Sequence, residues 1–174
     1  KTCYRFLREI DDLVDNYKSP YGSLISPEEK DRMVNNVYDW IKKIRLEKAE
    51  LCHENELIQV LDKFRIPLWP MEIFARSMIY DIQNDGFRSV DSFLDYAQGA
   101  SVAPASIFVH LCGLNKINGH YTSPVYDIRE VATPCSIFSY LVHIIRDFQA
   151  DQQDNLNYFA DEMIEKYGLT QLDL

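Results

Sequence analysis

The sequence predicts an all-α fold, and three observations support that prediction. Apolar residues recur at three- and four-residue steps along several stretches, which is the spacing of a buried helix face. Two sites, Ser26-Pro27 and Thr133-Pro134, place a hydroxyl residue directly before a proline, as helix starts often do. No segment longer than a few residues alternates with the period of a strand. We therefore expect roughly six to eight helices in one domain that covers residues 1–174.

Stripes of apolar residues and one capping serine predict the first two helices. The first helix ends at the Ser19–Gly22 turn. Its stripe consists of Tyr4, Leu7, Ile10 and Tyr17. The second helix starts at Pro27, because Ser26 can cap it and Glu29 completes a capping box. Its buried face consists of Met33, Val37, Trp40, Ile41 and Ile44.

The middle of the chain predicts three more helices separated by breaks. A short amphipathic stretch covers residues 54–64, and the prolines that follow force a break. The next helix starts near Pro70 and runs to Ile82. Ser89 can then cap a helix that passes through Tyr96.

The last part of the chain begins with small residues at 97–106, which let backbones approach closely. Within them Pro104 predicts a kink or break. Residues 113–124 hold two Gly, two Asn and one Pro, so we expect a long loop there. Thr133-Pro134 predicts the start of an apolar helix, and Gly168 predicts the end of the final one.

Composition excludes several function classes. The chain has 18 Lys and Arg against 27 Asp and Glu, a formal net charge of −9, whereas duplex nucleic-acid binding takes a basic face. No stretch reaches the roughly 18 consecutive apolar residues of a membrane span, so we expect a cytoplasmic protein with at most peripheral membrane contact. Four dispersed cysteines favour reduced thiols, and the histidine spacing does not resemble a zinc site.

Two acidic pairs lie within apolar helices. Asp11 and Asp15 are four residues apart, and Asp147 and Asp151 repeat that spacing, so each pair projects from one side of its helix. If the two helices face each other, the four carboxylates repel unless cations lie between them. Mg²⁺ suits such oxygen ligands together with substrate phosphates. The alternative is that the pairs lie on ordinary solvated helix faces, which an acidic chain offers often.

An arginine accompanies each acidic pair. Arg8 lies one turn before Asp11, and Arg146 directly precedes Asp147. The planar guanidinium donates well to the oxygens of a diphosphate. The two motifs together therefore predict Mg²⁺-assisted binding of a diphosphate.

These motifs resemble those of the squalene/phytoene synthases, which join two prenyl diphosphates head to head. Residues 8–15 look like the first aspartate-rich motif of that family, and residues 146–151 look like its second. Asp81, followed fifteen residues later by Tyr96, is similar to the family's central aspartate and its tyrosine-led small-residue motif. Tyr158 matches a tyrosine that follows the second motif. The resemblance covers most of the chain, from about Tyr4 to Leu169.

The resemblance implies an isoprenoid-synthase helical bundle with a central cavity. It implies a Mg²⁺-dependent prenyltransferase that condenses two farnesyl or geranylgeranyl diphosphates to a squalene- or phytoene-type product. The implied metal ligands are Asp11, Asp15, Asp147 and Asp151, with Arg8 and Arg146 binding diphosphate. The implied catalytic tyrosines are Tyr4, Tyr96 and Tyr158, whose ring faces can stabilise a prenyl cation. Tyr96 is equally compatible with a packed helix tyrosine, and Asp81 with an ordinary carboxylate. Use of NADPH and the oligomeric state stay open.

Several positions depart from the family pattern. Tyr140 and His143 stand where the second-motif helix usually has Gln and Asn, and Leu156 stands where an arginine is usual. These departures keep a second hypothesis open, a catalytically silent relative that acts as an assembly or scaffolding factor. The sequence opens at Lys1 within a helical pattern, so we expect a fragment that is incomplete at both ends.

Overall fold

A computed structural model describes residues 1–21, 25–45, 52–153 and 157–170. In this part of the chain the only strands form one small hairpin, which confirms the all-α prediction. The elements are α1 (Thr2–Tyr21), α2 (Pro27–Arg45), α3 (Cys52–Lys63), α4 (Trp69–Gln83), α5 (Val90–Ala97), a π turn (Gln98–Val102), α6 (Ala103–Cys112), β1 (Asn115–Ile117), β2 (His120–Thr122), α7 (Ile128–Gln153) and α8 (Asp161–Lys166). None of the described helices is both long enough and apolar enough to cross a bilayer.

Side-chain caps set several helix ends where the sequence predicts them. At the start of α2 the Ser26 hydroxyl accepts the backbone N–H of Glu29 at 3.2 Å. At the start of α5 the Ser89 hydroxyl accepts the N–H of Ser92 at 3.1 Å, and the Ser92 hydroxyl accepts the N–H of Ser89. Gly168 follows α8 with a φ of +66°, the left-handed conformation that commonly ends a helix.

The expected helix start at Thr133-Pro134 is wrong. Helix α7 begins at Ile128, and Pro134 lies inside it. The cap is Asp127, whose carboxylate accepts the N–H groups of Arg129 at 2.8 Å and Glu130 at 3.1 Å. An acceptor that satisfies two free N–H groups at once starts the helix earlier than the Thr-Pro signal would.

The long loop expected at residues 113–124 contains a short hairpin instead. Strands β1 and β2 pair antiparallel, with Ile117 opposite His120. The two residues between them, Asn118 and Gly119, have φ values of +49° and +85°. Asn-Gly is the dipeptide that most readily takes two consecutive positive φ angles, so this local sequence makes the tight turn.

Two cores hold the helices together. The larger lies among α1, α2, α3, α4 and α6, where the Phe6 ring stacks on Trp40 with centroids 5.6 Å apart. The smaller lies between α4, α5, α7 and the segment before α8. It contains what we call the aromatic cluster, the rings of Tyr80, Phe87, Phe93, Tyr96, Tyr140 and Tyr158.

The small-residue stretch brings α4 and the π turn into close contact. The helix does not break before Pro104 but widens, since the N–H of Ala103 bonds the carbonyl of Gln98. A Cβ at Gly99 would overlap the Ile73 carbonyl oxygen and the Ser77 side chain. The Ser77 hydroxyl also donates to the Tyr96 carbonyl at 2.7 Å, so this contact positions Tyr96 relative to α4.

We predict that Gly99→Ala destabilises the protein by about 1–3 kcal/mol, because the added methyl group meets rigid backbone as well as a side chain. Urea denaturation measures the change. Gly86→Ala is the matched control, since its new Cβ would lie 3.8 Å from the nearest atom, and we expect a change within about 0.5 kcal/mol. Equal stability of the two variants would contradict the close packing of α4 on the π turn.

Candidate active site between the two acidic helices

A cleft of about 360 Å³ opens between α1 and α7. From α1 it is lined by Tyr4, Arg8 and Asp11, and from α7 by Tyr140 and His143. Aliphatic and aromatic side chains of α1, α4 and α6 add apolar surface. The volume lies within the roughly 300–1,000 Å³ typical of small-molecule sites. The cleft therefore combines charged groups with an apolar wall, as a ligand with a polar head and a hydrocarbon chain requires.

Negative charge accumulates on the α1 side of the cleft. The pKa of Asp15 is raised to about 7, mainly by burial and in smaller part by the charges of Asp11 and Asp81. Burial also raises the pKa of Asp11, although the charge of Arg8 opposes the shift. Because Asp81 belongs to α4, three carboxylates from two helices act on one another. Such a group favours the approach of a cation.

Arg8 offsets part of this charge. Its guanidinium contacts Asp11 at 2.9 Å and Asp12 at 2.7 Å, so it is held at the edge of the cleft. Tyr4, one turn earlier, is 72% exposed and lies at the cleft mouth. The structure therefore brings three of the predicted α1 residues, Tyr4, Arg8 and Asp11, to one wall.

Tyr96 lies behind the cleft rather than in it. It is buried within the aromatic cluster, with its ring centroid 5.1 Å from that of Phe87. Its hydroxyl donates to the Asp81 carboxylate at 2.8 Å. Burial raises the pKa of Tyr96 well above its usual value, and the negative charge of Asp81 adds to the effect. Asp81, which the sequence leaves ambiguous, therefore orients the predicted tyrosine.

On α7 the negative charge of Asp147, the first carboxylate of the second motif, is paired with a positive charge. Arg146 donates to Asp147 twice, at 2.7 and 2.5 Å. This hydrogen bonding lowers the pKa of Asp147, and His143 contributes in the same direction. Asp147 and Arg146 are thus one another's partners in this arrangement.

Both acidic motifs contribute to the electrostatics of Tyr158. Burial raises the pKa of its phenol most, Tyr140 and Asp81 raise it further, and the charges of Asp15 and Asp151 add smaller shifts in the same direction. Among the described residues, no three His, Cys, Asp or Glu side chains converge closely enough to hold a metal ion by themselves. Mg²⁺ usually takes one or two carboxylates and fills its remaining positions with water and phosphate oxygens, so the α1 carboxylates suit it chemically.

Tyr140 is the residue that sequence reasoning undervalued. It lines the cleft beside His143, and within the aromatic cluster its ring packs against Phe93 and Tyr158. Its spacing could have indicated a place in the site, because positions 140, 143 and 147 fall on one face of a helix. Leu156, the third departure from the expected pattern, lies outside the described residues.

The helical bundle and the acidic motifs on two of its helices define an all-α protein of the isoprenoid-synthase type. A family model described as squalene/phytoene synthase matches residues 2–174. The chain therefore belongs to the squalene/phytoene synthase family, and this membership supports a prenyltransferase-type enzyme. A search of curated proteins and a search of solved structures returned no match.

We predict that Asp15→Asn stabilises the protein at pH 8 more than at pH 5. The folded-state pKa of about 7 lies above the ordinary value of 3.8, so folding takes up a proton. The stability due to protonated Asp15 is complete below about pH 4 and is lost as the pH rises through about 7. Because the carboxylate is partly solvated, we expect a gain of about 1–2 kcal/mol at pH 8.

Chemical denaturation at both pH values measures this difference. The exposed Asp39 on α2 supplies the control variant, Asp39→Asn, which makes the same chemical change at a carboxylate that is not buried. A gain from Asp15→Asn that is the same at pH 5 and pH 8 would contradict the raised pKa.

Proposed function

We propose that the protein is a Mg²⁺-dependent prenyltransferase that condenses two prenyl diphosphates head to head. The substrates are farnesyl or geranylgeranyl diphosphate, and the products are inorganic diphosphate and a squalene- or phytoene-type hydrocarbon. The observation that carries the proposal is the cleft between α1 and α7, in which Arg8 and Asp11 lie beside an apolar wall. Family membership supports the same reaction class.

The proposed metal ligands are Asp11, Asp15, Asp147 and Asp151. The raised pKa values of Asp11 and Asp15 support this assignment, because burial and neighbouring carboxylates disfavour their negative charge even with Arg8 nearby, and a bound cation would stabilise that charge. When bound, Mg²⁺ would neutralise the negative charge that develops on the departing diphosphate.

The remaining steps belong to side chains of the chain itself. Arg8 and Arg146 are the proposed donors to the diphosphate oxygens, each now held by aspartates that the ligand would replace as partners. The apolar wall of the cleft, which includes Leu7 and Phe74, would hold the hydrocarbon chain and keep water from the reacting carbon. Tyr4, Tyr96 and Tyr158 are the proposed catalytic tyrosines, with Tyr96 oriented through Asp81.

The product is a water-insoluble hydrocarbon under this proposal. We propose a cytoplasmic enzyme that contacts a membrane peripherally to release it, with no nucleic-acid partner. Reduction by NADPH would separate a squalene-type from a phytoene-type product, and product analysis with and without NADPH decides between them.

We predict that the protein releases inorganic diphosphate from prenyl diphosphates only when Mg²⁺ is present, and that Asp147→Asn lowers kcat at least about 100-fold. Coupled diphosphate detection and chromatography of the hydrocarbon products measure both. Asp91→Asn, at an exposed carboxylate in the first turn of α5, is the control and should keep full activity. Full activity of Asp147→Asn would refute the metal assignment.

The pairing of Arg146 with Asp147 favours a second candidate, a catalytically silent relative that works in assembly or scaffolding. In such a protein the ion pair would simply persist. Calorimetry with inorganic diphosphate discriminates the two. The enzyme should bind it only with Mg²⁺, whereas the silent relative should show no Mg²⁺-dependent binding.

A further inference from the structure

The ring of Tyr140 lies where the cleft meets the aromatic cluster. Its plane is nearly parallel to that of Phe93, at 9°, with centroids 5.9 Å apart. Tyr158 meets it edge-on at 6.1 Å. Tyr140 also lines the cleft, so a ring that neighbouring aromatics support borders the space where a ligand would lie.

Carboxylates of α1 and α4 act on this ring. Burial raises the pKa of the Tyr140 phenol, a hydrogen bond with Tyr96 lowers it, and the charges of Asp81, Asp11 and Asp15 raise it. Arg8, which also lines the cleft, offsets part of this negative charge. A field that disfavours a negative phenolate favours a positive charge at the same place. The ring quadrupole acts in the same direction, because the face of an aromatic ring is electron-rich.

The proposed reaction places a positive charge in this cleft. When the bond between the first prenyl carbon and the diphosphate oxygen breaks, its electron pair leaves with the diphosphate. The hydrocarbon is left as an allylic cation, which must be stabilised without forming a bond to the protein. A ring face satisfies that requirement, since the attraction is electrostatic.

Resting on the proposed function, we propose that Tyr140 is a further catalytic residue, whose ring face stabilises the prenyl cation. In its position Tyr140 differs from the three tyrosines proposed above. Tyr96 is buried behind the cleft with its hydroxyl bonded to Asp81, and Tyr158 does not line the cleft. Tyr4 lines it but is mostly exposed, and water weakens cation–π attraction.

The role depends on the ring and not on the hydroxyl, which defines the test. Tyr140→Phe keeps the ring face, whereas Tyr140→Leu removes it and stays apolar. Thermal melts show whether each variant folds. Tyr140→Met, which is long and lacks a π face, replaces the leucine variant if that variant fails to fold. Tyr38→Leu is the matched control, because Tyr38 is an exposed tyrosine on α2.

The first experiment measures binding without turnover. The probe is dimethylfarnesylamine, protonated at neutral pH, and its neutral counterpart is farnesyl methyl ether. We expect Tyr140→Leu to weaken binding of the amine by about tenfold while leaving the ether unchanged, and Tyr140→Phe to retain both affinities. Equal affinity of the phenylalanine and leucine variants for the amine overturns the proposal.

The second experiment measures turnover with prenyl diphosphate and Mg²⁺. Tyr140→Leu should lower kcat about tenfold with little change in KM, because the interaction exists only once the cation forms. Tyr140→Phe and Tyr38→Leu should stay close to the unmodified protein. A leucine variant with unchanged kcat overturns the role of Tyr140 alone.

The two proposals fail separately. If the unmodified protein turns over no prenyl diphosphate, the proposed function is wrong, while the comparison of amine with ether binding still tests the ring of Tyr140. If the protein is active and the Tyr140→Phe and Tyr140→Leu variants have the same kcat, only the inference about Tyr140 is wrong.

Discussion

The rest of the site depends on the electrostatic interaction among Asp11, Asp15 and Asp81. All three carboxylates are half-buried. Burial raises the pKa of Asp11 and of Asp15, and the charge of Asp81 on α4 adds to both shifts. Arg8 balances part of the charge from the cleft edge, and the hydroxyl of Tyr96 donates one hydrogen bond to Asp81. Because Asp11 lines the cleft, the remaining negative charge favours a cation there.

The aromatic cluster gives these charges a low-dielectric wall. Its rings pack edge-to-face and in parallel between α4, α5 and α7, and one of them, Tyr96, contacts the Asp81 carboxylate. The cluster is positioned by the close approach of Gly99 to α4 and by the hydrogen bond from Ser77 to the Tyr96 carbonyl. A contact between two helix backbones thus fixes the distance between an acid on one helix and a tyrosine on the next.

Helix α7 contributes both the opposite wall of the cleft and the second acidic motif. Its two carboxylates play different parts in this arrangement, because Asp147 is paired with Arg146 whereas Asp151 acts on Tyr158 together with Asp15. Under the proposed function, a diphosphate would compete with Asp147 for Arg146 and thereby free that carboxylate for a metal ion. Substrate binding and metal binding would then be linked.

Local features of the sequence determined the helical class, the caps at Ser26 and Ser89, and the position of both acidic pairs on helices. They could do so because helix periodicity and capping involve only residues a few positions apart. A local signal was wrong where a second capping residue lay nearby. Asp127 caps α7 and starts it six residues before Pro134, so Thr133-Pro134 lies inside the helix. Only the tertiary structure decided that Asp81 joins the α1 carboxylates and that Tyr140 lines the cleft. These outcomes depend on the packing of helices distant in the chain, and spacing along one helix carries no information about which helix it will face.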